Sequence, residues 1–227
     1  MEKDIGFIET QDLTKVFVLG EEKVKALDNV KIKINKGEIC AILGTSGSGK
    51  STLLNMLAGL DRPSAGKVIV AGKRIDKMDE KQLVLFRQKY TGFVFQSYNL
   101  IASMTALENV ALPLMFKGVD KKEREKRALE MLKLVGVENR SHHKPSQMSG
   151  GQQQRVGIAR AFASNPSIIF ADEPTGNLDS KTTKEVMSLI TDIIHKNNQT
   201  MVLVTHDESV AKYADKIIRV IDGKVVE

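Results

Sequence analysis

Short apolar runs recur along this chain, and helical spacing fills several of the gaps between them. Residues 39–43 form a continuous apolar run, which is typical of a strand buried on both faces of a parallel sheet. Residues 31–34 alternate charged and apolar side chains, which predicts a half-exposed strand before a turn at Lys36-Gly37. Further short strands are predicted at residues 67–70, 92–95, 168–171, 201–204 and 217–220.

Helical spacing follows the first buried run at residues 52–58 and dominates the middle of the chain from about residue 104 to 137. Strand, helix and strand in alternation indicate an α/β fold with a parallel sheet, and the helical middle is predicted to be an insertion. We therefore expect one domain in two parts. Residues 1–95 and 164–227 are predicted to form the α/β core, and residues 96–163 an inserted helical lobe.

Composition supports a globular protein and excludes few functions. The chain has 227 residues, of which 41% are hydrophobic, and a formal net charge of +6. That charge fits an anionic ligand, nucleic acid or an anionic membrane surface equally well, but the densest charged run, residues 121–127, alternates in sign. Such a run favours a solvated helix face over a nucleic-acid patch, and no nucleic acid is expected.

The chain is expected to be cytoplasmic. Its single cysteine, Cys40, excludes an internal disulfide and lies in an apolar run, which predicts a small buried side chain. No apolar run approaches the roughly 20 residues of a membrane-spanning helix, and the charged start lacks the apolar stretch of a signal peptide. Any membrane role is therefore expected to come through a partner.

Residues 44–51, with the sequence GTSGSGKS, match the phosphate-binding pattern G-x-x-x-x-G-K-[ST] between a predicted strand and a predicted helix. Glycines let backbone N–H groups turn toward a phosphate at the positive end of the following helix. Lys50 is expected to reach the β- and γ-phosphates, and Ser51 to ligate Mg²⁺. The alternative, a glycine-rich turn without a ligand, is disfavoured by this context. The predicted ATP-binding residues here are Gly44, Ser46, Gly47, Ser48, Gly49, Lys50, Ser51 and Thr52.

A second acidic site follows the predicted strand at residues 168–171. Asp172 stands at the strand's end, where it can hold Mg²⁺ through water. Glu173 is expected to point the other way and to polarise the attacking water as a general base. Two acids after a strand also occur in ordinary turns, so this pair gains its meaning from the phosphate loop.

Residues 148–152, with the sequence MSGGQ, closely resemble the LSGGQ signature of ATP-binding-cassette (ABC) ATPases, with Met148 in place of the usual leucine. The resemblance covers essentially the whole chain in the family's motif order. Gln96 is similar to the family's Q-loop glutamine, Asp179 to its D-loop aspartate and His206 to its switch histidine. Phe17 stands where the family places an aromatic residue that stacks on adenine, often a tyrosine.

The resemblance implies a P-loop NTPase fold of the RecA-like type, with a mixed or parallel sheet, an N-terminal antiparallel β part and an inserted helical lobe that carries the signature. It implies ATP as ligand and Mg²⁺ held by Ser51, Gln96 and, through water, Asp172. It implies catalytic roles for Glu173, His206 and Gln96. The signature residues that would act on the ATP of a second copy are Ser149, Gly150, Gly151 and Gln152.

The implied partners are that second copy, in an ATP-dependent head-to-tail homodimer, and a transmembrane permease subunit that holds the chain at the inner face of the membrane. Residues 98–104 are the candidate coupling surface. The subgroup resembles lipoprotein-release, macrolide-export and antimicrobial-peptide-resistance ATPases, so an amphipathic, lipoprotein or peptide substrate is expected.

Two other classes are disfavoured by the sequence. A DNA-maintenance ATPase with the same signature would need a long coiled-coil insertion, and the ribosome-bound kind carries two cassettes in one chain. A P-loop kinase would give no account of residues 149–152.

Overall fold

The computed structural model describes residues 6–226, apart from the side chain of Leu19. In that range strands and helices alternate after an N-terminal stretch of strands. The strands are β1 Ile8–Leu19, β2 Glu22–Val30, β3 Lys33–Ile34, β4 Ile39–Leu43, β5 Ala65–Val70, β6 Lys73–Arg74, β7 Thr91–Phe95, β8 Ile168–Asp172, β9 Thr200–Thr205, β10 Lys216–Ile221 and β11 Lys224–Val225. The α-helices are α1 Lys50–Leu57, α2 Glu80–Tyr90, α3 Ala106–Phe116, α4 Lys121–Leu134, α5 Gly150–Phe162, α6 Ser180–Lys196 and α7 Glu208–Ala211.

One sheet has the strand order β11-β10-β4-β9-β8-β7 among the described residues, and its strands from β10 to β7 are parallel. Its register brings the carboxyl ends of the strands level. Leu43 is paired with Thr205, Asp172 with Val204, and Phe95 with Asp172. The residues that follow these strands therefore meet at one edge, where α/β sheets bind their ligands.

The second sheet is antiparallel and has the order β2-β1-β5-β6, with β3 paired to β1. The predicted α/β fold with an N-terminal antiparallel part is confirmed. The predicted strand at residues 31–34 is wrong in its first half, because only Lys33–Ile34 forms a ladder. The Ile32 N–H donates to the Thr10 hydroxyl at 3.1 Å, so a side chain takes the place of a strand partner there.

Helices α3, α4 and α5 occupy the chain between β7 and β8. Helix α5 begins with Gly150 and Gly151, although glycine is a poor helix former. Ser149 and Gln152 form a capping box that offsets this cost, since each side chain bonds the other residue's backbone N–H. Helices α2, α6 and α7 were not predicted from the sequence.

Two buried clusters lie on the two faces of the parallel sheet. Alternate residues of β4 divide between them: Ile39 and Ala41 pack toward α3, α5 and α6, while Cys40 and Ile42 pack toward α1 and the antiparallel sheet. The prediction that this strand is buried on both faces is confirmed. Burial raises the pKa of the Cys40 thiol to about 12, so it stays a neutral, unreactive core group.

Gly92 gives a first test of this packing, because β7 and α5 approach each other closely at that residue. An added Cβ would overlap the backbone oxygen of Ala161 on α5 and lie 2.8 Å from Ile169 Cδ1. We expect Gly92→Ala to destabilise the protein by about 1–3 kcal/mol through overpacking, measured by urea denaturation.

Gly157→Ala, on helix α5, is the matched control. A Cβ there would lie 3.6 Å from the Tyr98 carbonyl oxygen, which is ordinary contact, so helix propensity should stabilise the protein by about 0.5–1 kcal/mol. A Gly92→Ala variant as stable as the wild type would contradict the close approach of α5 to β7.

Candidate functional site

The loop between β4 and α1 leaves the first amides of the helix without a side-chain cap. Gly49, the N-cap residue, has φ +99°, makes no side-chain cap bond, and no acidic residue follows in the first turn. A Cβ on Gly49 would overlap the Ala26 carbonyl oxygen of β2, so both the backbone angle and the space require glycine. Uncapped amides at a helix N-terminus, held in a tight loop, fit a bound phosphate.

Lys50 lies inside this loop and is only 6% exposed. Its Nζ donates to the Thr45 carbonyl oxygen at 2.5 Å. Burial lowers the pKa of Lys50, while the nearby carboxylates of Glu173 and Asp172 oppose that shift. The ammonium is therefore short of counter-charge, and an anion in the loop would favour its charged form.

Ser51 and Asp172 meet although they are 121 residues apart in sequence. The Ser51 hydroxyl donates to Asp172 Oδ1 at 3.1 Å. Burial raises the pKa of Asp172, and the hydrogen bond from Ser51 opposes that shift. Mg²⁺ prefers oxygen donors and is commonly held by one or two protein groups together with water and phosphate. This pair of adjacent oxygen donors beside the loop fits such an ion.

Glu173 leaves the strand in a left-handed conformation, with φ +45°. That angle is uncommon for a residue with a side chain and turns the chain abruptly after Asp172. The Glu173 N–H still donates to the Val204 carbonyl oxygen at 3.0 Å. Its Oε1 lies 2.9 Å from Nδ1 of His206, which follows β9. Two of the three predicted catalytic side chains are thus in contact.

Gln96 follows β7 and reaches the same turn. Around Gly176, the site of an added Cβ would lie 2.8 Å from Gln96 Nε2 and 3.2 Å from Glu173 Oε2. The side-chain amide of Asn177 donates to the Gln96 carbonyl oxygen at 3.0 Å. Gln96 and Glu173 therefore flank Gly176. The pairing of β7 with β8 brings these two side chains together.

The signature residues Ser149 and Gln152 hydrogen-bond each other. Within residues 6–226 none of the described hydrogen bonds joins residues 149–152 to residues 44–51. Ser149 is exposed at the start of α5. Asp179 caps α6 by accepting from the backbone of Lys181 and Thr182, and the Thr182 hydroxyl holds the pKa of Asp179 below its usual range.

Phe17 lies on β1, paired with Val24 of β2, and 37% of it is exposed. The Lys15 ammonium stands 4.9 Å from the centre of its ring. Within residues 6–226, none of the described hydrogen bonds or ring contacts joins Phe17 to residues 44–51. The link is indirect, because the hairpin that carries Phe17 packs on Gly49 through the Ala26 carbonyl.

Sequence reasoning missed two residues that join α5 to the site. Gln154 is 1% exposed and donates through Nε2 to the Pro174 carbonyl oxygen. Arg160 donates to the carbonyl oxygens of Tyr98, at 2.8 Å, and Asn99, at 2.5 Å. Helical spacing places Gln154 on the buried face of α5 with Ile158 and Phe162. This spacing is the feature that distinguishes Gln154 from the two glutamines before it.

None of the helices between residues 6 and 226 combines the length and the apolar character that crossing a bilayer requires.

Known proteins with this architecture are numerous and similar over the full chain. The family model described as ABC transporter matches residues 27–176. Over 97% of this chain and 98% of the relative, the sequence is 51% identical to an uncharacterized ABC transporter ATP-binding protein of Methanocaldococcus jannaschii. It is 45% identical to the macrolide export ATP-binding/permease protein MacB of Vibrio parahaemolyticus, over 96% of this chain but 33% of MacB.

Two solved structures share the whole fold. The dimeric ABC transporter cassette MJ0796 has a TM-score of 0.92 and 48% identity, with 97% of both chains covered. The dimeric post-hydrolysis state of the same cassette, bound to ADP and Pi, has a TM-score of 0.91 and 47% identity. The chain therefore belongs to the ABC transporter family, whose ATPases use ATP with Mg²⁺.

Proposed function

We propose that this chain is the ATP-binding and ATP-hydrolysing subunit of an ABC transporter and that it works as a dimer closed around two nucleotides. The observation that carries the proposal is the convergence of three pairs at one edge of the parallel sheet. Lys50 bonds the Thr45 carbonyl oxygen within the loop, Ser51 bonds Asp172, and Glu173 contacts His206. A phosphate site, a pair of oxygen donors and a base candidate thus stand side by side.

In this proposal Glu173 accepts a proton from the attacking water, and His206 orients the Glu173 carboxylate through the 2.9 Å contact. Lys50 and the amides at the start of α1 stabilise charge on the β- and γ-phosphates. Ser51, Gln96 and, through water, Asp172 would hold Mg²⁺, which would neutralise phosphate charge. Gln96 flanks Gly176 together with Glu173, and we propose that it responds to the γ-phosphate. Phe17 is proposed to stack on adenine.

The nucleotide site is proposed to be completed by a second copy. The exposed Ser149 and the glycines after it begin a helix whose amides can bind an anion, and none of the described hydrogen bonds joins them to the chain's own loop. The dimeric state named for the related cassette MJ0796 supports this arrangement. The residues proposed to act on the other copy's ATP are Ser149, Gly150, Gly151 and Gln152, with Asp179 at the interface.

The membrane partner is proposed to be a permease that the helical lobe contacts. Residues 96–163, which include α3, α4 and α5, are proposed to be this lobe, and residues 98–104 its coupling surface. The name of MacB joins an ATP-binding part to a permease and to macrolide export, which supports export or extraction of an amphipathic substrate. The chain would then lie at the cytoplasmic face of the membrane. The similar proteins named above are ABC transporter proteins, so they give no support to a DNA-maintenance or ribosome-associated role.

Lys50→Ala is expected to abolish ATP binding, because the variant removes the one ammonium group inside the loop among the described residues. Titration with a fluorescent ATP analogue measures this. Lys117→Ala is the matched control: Lys117 also donates to a backbone carbonyl, that of Ser164 at 3.0 Å, and burial also lowers its pKa. Undiminished binding by Lys50→Ala would remove the basis for the phosphate site.

Glu173→Gln is expected to bind ATP but to lower turnover at least a hundredfold, since an amide cannot accept the proton of the attacking water. The variant should accumulate as an ATP-bound dimer, seen by gel filtration with ATP and Mg²⁺. Glu80→Gln, which removes an exposed carboxylate paired with Arg62, should hydrolyse ATP like the wild type. A Glu173→Gln variant that stays monomeric with ATP, or turns over normally, would refute the base role.

Asp172→Asn is expected to raise the melting temperature of the nucleotide-free protein at pH 7. Because folding raises the pKa of Asp172, chiefly by burial, the charged carboxylate destabilises the folded state above that pKa. The gain should vanish as the pH falls and Asp172 is protonated in both folded and unfolded states.

Asp76→Asn should do the opposite, which makes it a useful control. Burial alone would raise the pKa of Asp76, but hydrogen bonds from Arg74 and the Val68 N–H lower it overall. Its charge therefore stabilises the fold, and this variant should melt at a lower temperature at pH 7. Melting curves for both variants at pH 4 and 7 test these expectations. A melting temperature of Asp172→Asn below that of the wild type at pH 7 would show that the Asp172 charge does not destabilise the fold.

A further inference from the structure

Helix α5 contacts two other parts of the proposed machinery in the same chain. Its first turn carries the signature residues, and an added Cβ on Gly150 would lie 2.7 Å from the Tyr98 hydroxyl. Its last turns hold the carbonyl groups of Tyr98 and Asn99 through Arg160. Between them, Gln154 extends from the buried face of α5 to the turn that follows β8.

The Gln154 side chain is held by a single polar contact. Its Nε2 donates to the carbonyl oxygen of Pro174, the residue directly after Glu173, while its Oε1 is buried and has no hydrogen-bond partner among the described residues. A buried amide oxygen without a partner has a free-energy cost. Gln154 is 1% exposed, and among the described residues the donor end of its side chain is the part with a hydrogen-bond partner.

The turn that this donor reaches is the strained one. Glu173 has φ +45°, and its own carbonyl oxygen accepts from the Gly176 N–H at 3.0 Å. A non-glycine residue in that region persists only where the surroundings hold it. The Gln154 contact at Pro174 is such a restraint, and it comes from the helix that carries the signature residues.

We propose that Gln154 is a positioning residue for Glu173, which ties the catalytic turn of a chain to that chain's own signature helix. The proposal rests on the proposed function, in which that signature engages the nucleotide of the second copy. Movement of α5 on engaging one nucleotide would then be transmitted through Gln154 to the Glu173 that acts on the other. The two ATP sites of a dimer would be coupled inside each chain.

Gln199 makes a matched control possible. It is 3% exposed, its Nε2 donates to the Pro166 carbonyl oxygen at 2.5 Å, and its Oε1 is also buried without a partner among the described residues. It precedes β9, at the end of the strand opposite to His206. The two glutamines thus make the same kind of bond to a proline carbonyl, one at the proposed site and one at the opposite edge of the sheet.

The experiment compares Gln154→Met with Gln199→Met in the full chain, since methionine has similar length but cannot donate. Both variants should lose melting temperature to a similar degree. Gln154→Met should lower kcat at least tenfold, with the affinity of the monomer for a fluorescent ATP analogue within twofold of wild type. Gln199→Met should keep both values within twofold. If kcat falls no further in Gln154→Met than in Gln199→Met, the proposal is overturned.

Hydrogen exchange of the nucleotide-free protein gives a readout that does not depend on catalysis. The amides of Glu173 and Gly176 should exchange at least tenfold faster in Gln154→Met and at the wild-type rate in Gln199→Met. Equal rates in the two variants would overturn the proposal even if the wild type is an active ATPase. Should the wild type lack ATPase activity, the proposed function fails, and these exchange rates still decide whether Gln154 positions the turn.

A gentler pair of variants covers the case in which Gln154→Met does not fold. Gln154→Asn keeps the amide but is one methylene too short to reach the Pro174 carbonyl, and Gln199→Asn is its control. The same differences in kcat and in exchange are expected, and their absence overturns the proposal.

Discussion

The site depends on one constraint: a helix start that has no side-chain cap. The amides at the beginning of α1 have no internal partner, and Gly49 supplies no side chain to satisfy them. A buried strand holds the loop from one side, and the β1–β2 hairpin holds it from the other through the Ala26 carbonyl. An anion is the group that satisfies such amides, and the remaining polar groups of the site are arranged around the place where it would lie.

The chain's other helix starts show how specific this feature is. Ser149 and Gln152 satisfy the first amides of α5 with a capping box, and Asp179 does the same for α6. Signature and D-loop residues are thus used for local capping in the isolated chain. The Ser149 hydroxyl accepts from the Gln152 N–H at 3.3 Å, which leaves its own O–H able to donate to a second copy's phosphate. Local capping and the proposed role on the second copy are therefore compatible.

Much of this could be predicted from the sequence, because it is local. A phosphate loop between a buried strand and a helix specifies its own surroundings, and the strands at residues 39–43 and 168–171 were identified from their apolar runs. The contact between Glu173 and His206 depends on which strands are neighbours, and a period-two pattern does not encode strand order. Gln154 was missed for a related reason, since its partner lies twenty residues away across a packed interface. Helices α2 and α6 were not predicted, although the buried residues of α6 have helical spacing.

Electrostatics explains why a bound ligand would favour the charged forms of Lys50 and Asp172. Burial pushes Lys50 toward its neutral form and Asp172 toward its protonated form, although each is near a group of opposite charge. Neither shift can be relieved by moving the pair together, since Lys50 is tied to the Thr45 carbonyl and Asp172 to Ser51. A polyphosphate with a divalent cation supplies negative charge next to the lysine and positive charge next to the aspartate. Nucleotide binding would therefore reduce the electrostatic cost of burying these two charges. Binding should stabilise the fold as well as start the reaction.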